Sequence, residues 1–379
     1  MKEYDFIFAG AGCATLSMVY YILESSLKDS KILLIDPKAG QIPSKTWCYW
    51  AEKPLAIHPK LASYSWKNIK LSSPDLEENF SMSNLNYYHL DSFHFFEMVM
   101  SKIANKSNIE LLASEVVDIV EKGNLAQVSC GDGKQYISKQ VFDSRISDES
   151  FDQPDVLKQI FAGWVIETDF PVFDKNSITL MEWNHSDSSD FDFFYLLPFQ
   201  ENKALIEYTV YSKSSVSKAS LEKQVQSYIE SKFPGATYTV TFRETGVIPM
   251  TTKINQPKAS KYIYPIGTRA GWTKASTGYT FQRIQEESIK IVDHLSQGAP
   301  LPLSSQSRRF TFYDNILLNI AHKWPHELVK LFKDLFRKTP TDQLFRFLSE
   351  KTSWWEDIQV LYRLNYGIFI KSLIHYEKR

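Results

Sequence analysis

The run from Phe6 to Leu23 carries no charge, yet Gly10 and Gly12 break it near its start, and that break decides what the chain can fold into. An uncharged run of this length approaches what a helix needs to cross a bilayer. Its context argues otherwise. The preceding Lys2-Glu3-Tyr4-Asp5 mixes acids with a base, so it does not read as the positive leader of a signal peptide, and no signal peptide or membrane span is expected. Phe6-Ile7-Phe8 reads as a short buried strand, and Leu16, Val19, Tyr20 and Leu23 recur at helical spacing. "KILLID", Lys31 to Asp36, is a second buried strand that ends in an acid. Strand, glycine turn, helix and strand together form a unit that binds dinucleotides. Gly10 permits the tight turn, and Gly12 lets the backbone approach a pyrophosphate. The helix that begins there aims its free N–H groups at the phosphates, and Asp36 accepts from a ribose hydroxyl. Thr15 holds the third glycine position of this fingerprint, so a slightly wider crossing of helix and strand or a local shift is expected. On these residues alone, a plain strand–helix–strand turn without a ligand stays open.

A chain of 379 residues with 43% apolar content can bury one large core or two modest ones. Lys and Arg number 43 against 44 Asp and Glu, which leaves a net charge of -1 and no overall field to attract nucleic acid; no nucleic-acid partner is expected. Cys13, Cys48 and Cys130 lie far apart without metal-ligand spacing, so neither a disulfide framework nor a metal site is expected, and a cytoplasmic, reducing location fits. Aromatic content of 14% hints at a large apolar ligand.

Beyond residue 90 the organisation is interleaved. Ser92 to Ile103 reads as a helix, and Glu115 to Val120 and Gln140 to Arg145 read as strands. The middle third changes character: "GWVIETDF", "SITLMEW", "FFYLLPF", "ALIEYTVYS" and "TYTVTFRET" are strand-like runs typical of an antiparallel sheet, interrupted by one helix from Ala219 to Phe233. A strand, a glycine-rich turn and a helix follow, the helix opening near Thr277 as N-cap with Gly278 in the turn and ending at Gly298 and Pro300. From Leu301 onward, 13 Lys and Arg stand against 8 Asp and Glu, a local charge of +5. There "HELVKLFKDLFRK" places Leu328, Leu331, Phe332 and Leu335 on one face amid basic residues, which suits a helix lying on a membrane or one packed with a solvated basic side.

"DFIFAGAGCATL", "ILLIDP", "KTWCYW", "VFDSR", "FAGWVIET", "YLLPF", "ALIEYT", "ETGVIPMT" and "PIGTRAGWTKASTGYTFQRIQ" together resemble the flavin-dependent lycopene β-cyclases of carotenoid-making bacteria, in order from Tyr4 to about Ser288 and more weakly through "FTFYDNILLNI". The resemblance implies an α/β fold: a Rossmann-like FAD-binding domain of the hydroxylase type, an inserted antiparallel β-sheet substrate domain and a helical C-terminal region. The expected FAD-binding domain covers 1–60, 90–150 and 255–300, the substrate domain 61–89 and 151–254, and the helical region 301–379.

The implied reaction protonates the open end of lycopene or a related linear carotene, closes a six-membered ring through a carbocation, and removes a proton to leave a β-ionone ring without net redox change. Reduced FAD is the implied cofactor and NAD(P)H its reductant. Glu207 is the expected catalytic acid, with Glu244 a weaker alternative; by alternation alone, Glu207 can equally face solvent. Gly10, Gly12, Cys13, Asp36, Lys45, Gly267, Thr277 and Gly278 are the expected cofactor residues, and Trp47, Trp50, Trp272 and Tyr279 are candidates for walling the substrate, though large aromatics also serve as plain core. The chain departs from the family at Thr15, at Lys45 where arginine is usual, at Ala275 where proline is frequent, and at Tyr208, where many relatives carry a second acid beside the glutamate. A mechanism requiring paired carboxylates is therefore not expected. An apolar substrate and a basic tail imply peripheral membrane association. A redox flavoenzyme of the same fold, such as an isoprenoid saturase or monooxygenase, and a non-catalytic carotenoid-binding descendant are the competing readings.

Overall fold

A computed structural model describes residues 1–41, 44–59, 64–74, 76–146, 156–183, 190–253, 260–302, 307–364 and 366–379. The first strand, Lys2–Ala9, is buried along "FIFA" because parallel neighbours flank it on both sides, Ile32–Ile35 and Gln135–Asp143. Ile109–Leu112 extends the sheet beyond Ile32–Ile35, and Ile263–Pro265 pairs in parallel with Gln135–Asp143. On the far side, Leu125–Cys130 and Val116–Lys122 continue it as antiparallel strands. Helices Cys13–Leu23 and Phe281–Ser296 pack against each other over this sheet. Thr15, fully buried, fits at the fingerprint's third position because its hydroxyl donates to the Gly10 carbonyl at 2.7 Å, which satisfies its polar atom inside the turn.

The second sheet runs in the order Tyr238–Met250, Leu157–Thr168, Lys203–Ser212, Phe191–Gln200, Ser177–Glu182, Asn68–Ser73, Leu76–Ser81. Its pairings are antiparallel except one, Ser177–Glu182 with Asn68–Ser73, which is parallel. One face of this sheet is closed by helix Lys218–Lys232, whose Leu221, Val225, Tyr228 and Ile229 pack on residues such as Ile206 and Val210. A small third sheet, Thr46–Ala51, Asn86–Asp91 and Tyr64–Trp66, lies beside the other two; no strand over 46–51 or 86–91 is anticipated by the sequence reading.

Among the described residues, five helices follow: Arg308–Lys323, Glu327–Lys338, Thr341–Leu348, Trp354–Tyr362 and Tyr366–Ile374. Of the two readings open for "HELVKLFKDLFRK", the structure shows the packed helix and not the membrane-lying one. Leu328, Leu331, Phe332, Leu335 and Phe336 are all buried in the same core as the second sheet. Burying one such side chain stabilises by roughly 1.5–3 kcal/mol, so five of them far outweigh any surface attraction of the flanking basic residues. The last two helices behave differently. Trp354, Trp355, Ile358 and Tyr362 form one outward stripe on the first, and Tyr366, Ile370, Leu373 and Ile374 form another on the second. Among the described residues, no helix is long and apolar enough to cross a membrane.

Candidate active site

Register across the second sheet builds the site. Tyr195, Glu207, Gly163 and Glu244 lie directly opposite one another on four adjacent strands, so all four sit on one face. The next row on that face is Phe193, Thr209, Phe161 and Gly246. This face forms the floor of a cavity of about 490 Å³, roofed by Trp47, Trp50, Tyr279 and Phe281 and by Phe332, Leu335, Phe336 and Phe345 of the tail. Glu207 therefore does not face solvent: the part of its surface left uncovered looks into the cavity.

Gly163 makes the floor open enough for two acids. A Cβ there would stand 3.2 Å from Leu205 Cδ1, 3.4 Å from Glu244 Cγ and 3.5 Å from Glu207 Cβ, so the missing side chain leaves room between the two glutamates. Two carboxylates thus share this face, although no second acid adjoins Glu207 in sequence. Residues adjacent in a strand point to opposite faces, so Tyr208 turns away and donates to Asp192 Oδ2 at 2.7 Å, and the second acid arrives from the next strand but one. Burial pushes the Glu207 carboxyl up to about 8, the charge of Glu244 pushing the same way while a hydrogen bond from Thr209 and the nearby Lys45 oppose it. Burial also raises Glu244, against a hydrogen bond from the Thr46 N–H to its Oε2 at 3.1 Å and the charge of Lys45. Lys45 Nζ donates to the Thr245 carbonyl at 2.6 Å, which holds the cation beside the pair.

The raised carboxyl has a consequence for stability. Between the ordinary glutamate value of 4.5 and about 8, the folded protein holds a proton at Glu207 that the unfolded chain releases. That contribution is fully present below 4.5 and is lost as pH rises through 8. Glu207→Gln removes the titration, so its melting temperature should gain on wild type steadily from pH 5 to pH 8. A margin that stays flat across that range counts against a buried, proton-holding carboxyl.

The walls are aromatic and carry a short chain of hydroxyls. Tyr195 donates to Tyr87 at 2.6 Å, Tyr87 and Tyr279 share a 2.6 Å hydrogen bond, and Tyr195 also reaches Cys48 Sγ at 3.4 Å. Tyr279 meets Trp50 edge-on at 4.6 Å, and the Trp50 indole donates to the Phe345 carbonyl at 2.9 Å, which fastens the tail helix Thr341–Leu348 to the cavity. Trp47 stacks on Phe281 at 5.5 Å. Of the four aromatics singled out in the sequence, Trp47, Trp50 and Tyr279 line the cavity and Trp272 does not: it is fully buried in the core between the first sheet and its helices, and its candidacy as a substrate wall is corrected.

Cys13, Thr268, Thr277 and Gly278, in or next to the glycine turns, line the same cavity. Gly10 has φ +101°, and a Cβ there would meet Ser144 Oγ at 2.3 Å, so no other residue fits. Gly12 sits as the N-cap of Cys13–Leu23 with no side chain capping the first turn, and a Cβ on it meets nothing within 4 Å. Open space over uncapped N–H groups is what a pyrophosphate requires. Asp36, just past Ile32–Ile35, accepts from the Ala11 N–H at 2.8 Å and the Lys38 N–H at 2.7 Å, which places its carboxylate at the edge of the glycine turn. Cys13 lines the cavity from the start of the helix, its thiol pushed up by burial. The turn Gly267–Ala270 is tied to the first sheet by the Arg269–Asp143 ion pair at 3.0 Å.

Thr277 is not the N-cap of the last sheet-covering helix. That helix starts at Phe281, and Thr277 belongs to a separate turn closed by the Gly278 N–H on the Lys274 carbonyl at 2.8 Å, with Gly278 at φ +76°. The left-handed glycine ends one turn before the helix begins, which displaces the cap by three residues. Thr277 Oγ1 and Gln159 Oε1 are buried beside the cavity with no hydrogen-bond partner, polar atoms left for a bound group. Sequence reasoning named Tyr279 but missed Gly163, Tyr87 and Tyr195. A lone glycine inside an apolar strand is a signal of close approach and marks Gly163; nothing local marks Tyr87 or Tyr195.

Comparison with known proteins bears on this geometry. The sequence pattern described as lycopene cyclase protein matches residues 5–373. A lycopene beta-cyclase from Paracoccus sp. (strain N81106 / MBIC 01143) is 26% identical over 291 residues, which cover 73% of this chain and 70% of that protein. Among solved structures, a geranylgeranyl bacteriochlorophyll reductase-like protein from Thermoplasma acidophilum superimposes with a TM-score of 0.61 at 12% identity, covering 99% of both chains. A flavoprotein/dehydrogenase from Cytophaga hutchinsonii also gives 0.61 at 12% identity, over 99% of this chain and 98% of that one. A probable FAD-dependent monooxygenase from Pseudomonas aeruginosa gives 0.54 at 13% identity, over 92% of this chain and 100% of that one. At these identities the structures establish the α/β fold of such flavoproteins.

Proposed function

The chain belongs to the lycopene cyclase family, and from that premise we propose that it closes the linear ψ-ends of a carotene to β-ionone rings by protonation, carbocation cyclisation and deprotonation, an isomerisation. The observation that carries this reading is the place of Glu207, a carboxyl that burial pushes toward its protonated form, on the floor of an aromatic cavity that Cys13, Thr277 and Gly278 also line. An alkene is a weak base, and protonating it takes an acid whose conjugate base lies close to the cation it creates.

Glu207 delivers the proton to the terminal double bond. The aromatic faces around it, Trp50 and Tyr279 first, attract the tertiary cation through their π quadrupoles and exclude the water that would trap it as an alcohol. The neighbouring alkene, held against the same walls, closes the ring.

The residues fit FAD as the cofactor. Gly10, Gly12 and the uncapped turn at Cys13 and Ala14 would take the pyrophosphate, Asp36 the ribose, and Lys45, Thr277 and Gly278 would border the ring system; the open space over Gly12 and the unpartnered Thr277 hydroxyl support the fit. When bound in reduced, anionic form, FAD supplies negative charge beside a developing cation, with NAD(P)H as the reductant that primes it.

Expression in a host that accumulates lycopene tests the reading. The expected pigment is a cyclic carotene of unchanged mass, formed without stoichiometric consumption of NAD(P)H. Unchanged lycopene from a folded, flavin-loaded protein, or a saturated or oxygenated product formed with one NAD(P)H each, refutes it.

The same reading puts the enzyme at a membrane surface, because its substrate resides in bilayers. With the Glu327–Lys338 helix packed inward, the outward stripes of the last two helices support docking: Trp355, Tyr362 and Ile374 are 69%, 73% and 74% exposed, and the tail beyond residue 300 carries +5. Trp355→Ser with Tyr362→Ser should weaken recruitment to anionic liposomes roughly tenfold or more and leave flavin content unchanged. Undiminished, salt-insensitive binding by that variant would place the contact elsewhere.

A further inference from the structure

A ring closure of this kind consumes one proton and releases another, and Glu207 accounts only for the first. The second needs a base that faces the same cavity, survives burial as an anion, and can hand its proton back. Glu244 meets each requirement by position. It stands opposite Gly163 in the row that holds Glu207, is 5% exposed, and lines the cavity. Its Oε2 is held by the Thr46 N–H at 3.1 Å, while its Oε1 is buried with no partner.

We propose that Glu244 is the base that takes the ring proton, and that Glu207 and Glu244, on either side of Gly163 in one row of the cavity floor, share one proton that resets the site after each closure. The proposal rests on the cyclase reading. The Glu207 O–H breaks as a C–H bond forms at the terminal alkene carbon, and the tertiary cation so made is attacked by the neighbouring double bond. A C–H bond beside the new ring cation then breaks, its electrons form the ring double bond, and its proton goes to Glu244. Transfer of that proton to Glu207 restores the starting state. Nothing is oxidised or reduced.

The surroundings of the two acids differ in the direction this division of roles requires. Glu244 has the Thr46 N–H on one oxygen and the Lys45 ammonium close by, both favouring its charged form, with Asp91 the opposing charge nearby. Glu207 receives a single hydrogen bond from the Thr209 hydroxyl, with Lys45 contributing least, and otherwise faces Cys48 and the Tyr279 phenol. The negative charge therefore settles on Glu244 and the proton on Glu207. Two carboxylates around one vacant glycine position cannot both ionise cheaply, which keeps one proton in the pair.

Glu244→Gln in the full, flavin-loaded chain tests this. Turnover is expected to fall about a hundredfold, the scale of a lost general base, with KM for the carotene unchanged. The alkaline limb of the rate, and the pH at which the Glu207 carboxyl band disappears from the infrared spectrum, should both move to lower pH, because the charge that raised Glu207 is gone; the band is assigned by its loss in Glu207→Gln. Glu244→Asp should retain part of the rate and most of the coupling, and serves as the second variant if Gln fails to fold. A folded Glu244→Gln enzyme with wild-type rate and pH profile overturns the base role while wild-type cyclisation keeps the function. Should wild type cyclise nothing, the function and the base role fall together. An infrared titration of Glu207 unmoved by Glu244→Gln overturns the shared proton by itself.

Discussion

Glu207→Gln is expected to lower cyclisation at least a hundredfold while leaving the protein folded and flavin-loaded. Glutamine keeps the size of the side chain and can still accept from the Thr209 hydroxyl, now at 2.9 Å from Glu207 Oε1. It has no proton acidic enough to give an alkene and no charge to leave beside the cation, and the loss of a positioned acid is worth about 10²–10⁴ in rate. Folding should not suffer, because removing a buried ionisable group that costs stability above pH 4.5 relieves the protein. Loss of activity with a gain of alkaline stability is the paired signature: a merely structural glutamate would give loss of both. Glu207→Asp keeps the acid but withdraws it by one methylene, and a displacement of about 1 Å from the reacting carbon leaves only partial activity. Wild-type conversion by a folded Glu207→Gln protein would reject the role.

How much of this was legible follows from which interactions are local. The glycine turn between Lys2–Ala9 and Cys13–Leu23 is written within a dozen residues, and the strand alternation around Glu207 places it on the face of Leu205 and Thr209. What covers that face is not local. Phe332, Leu335 and Phe345 come from helices well over a hundred residues further along, and without them a strand carboxylate reads as solvent-facing. The same limit hid the acid pair. Tyr208 drew attention because it is the neighbour in sequence, but a strand turns sequence neighbours apart, and only the register of Leu157–Thr168 with both Lys203–Ser212 and Tyr238–Met250 brings Glu244 beside Glu207. In the tail, periodicity found the apolar face of Glu327–Lys338 but could not say whether lipid or protein would meet it, since both reward the same pattern. Thr277 differs for another reason: a threonine before a glycine in an apolar context satisfies the cap pattern, yet Gly278 at φ +76° closes its own turn before the helix can start.

Gly12→Val is expected to leave a folded protein that no longer retains FAD, with affinity lower by roughly a hundredfold or more. The two fingerprint glycines make different demands, and the contrast sharpens the test. Gly10 is required by the chain itself: its φ of +101° and the Ser144 hydroxyl 2.3 Å from an added Cβ mean that even Gly10→Ala should destabilise the fold. Gly12 has φ -78°, which valine adopts readily, and a side chain there meets no protein atom within 4 Å. Its absent side chain matters only to something that fills the space from outside. Valine would stand over the uncapped N–H groups of Cys13–Leu23, and displacing a phosphate from two such charge-assisted hydrogen bonds, each worth about 1.5–3 kcal/mol, accounts for the hundredfold. The measurement is flavin fluorescence on titration of the purified protein, alongside its thermal melt without flavin. A melting temperature close to wild type with flavin binding lost assigns the turn to the cofactor, and normal FAD retention by Gly12→Val rejects that assignment.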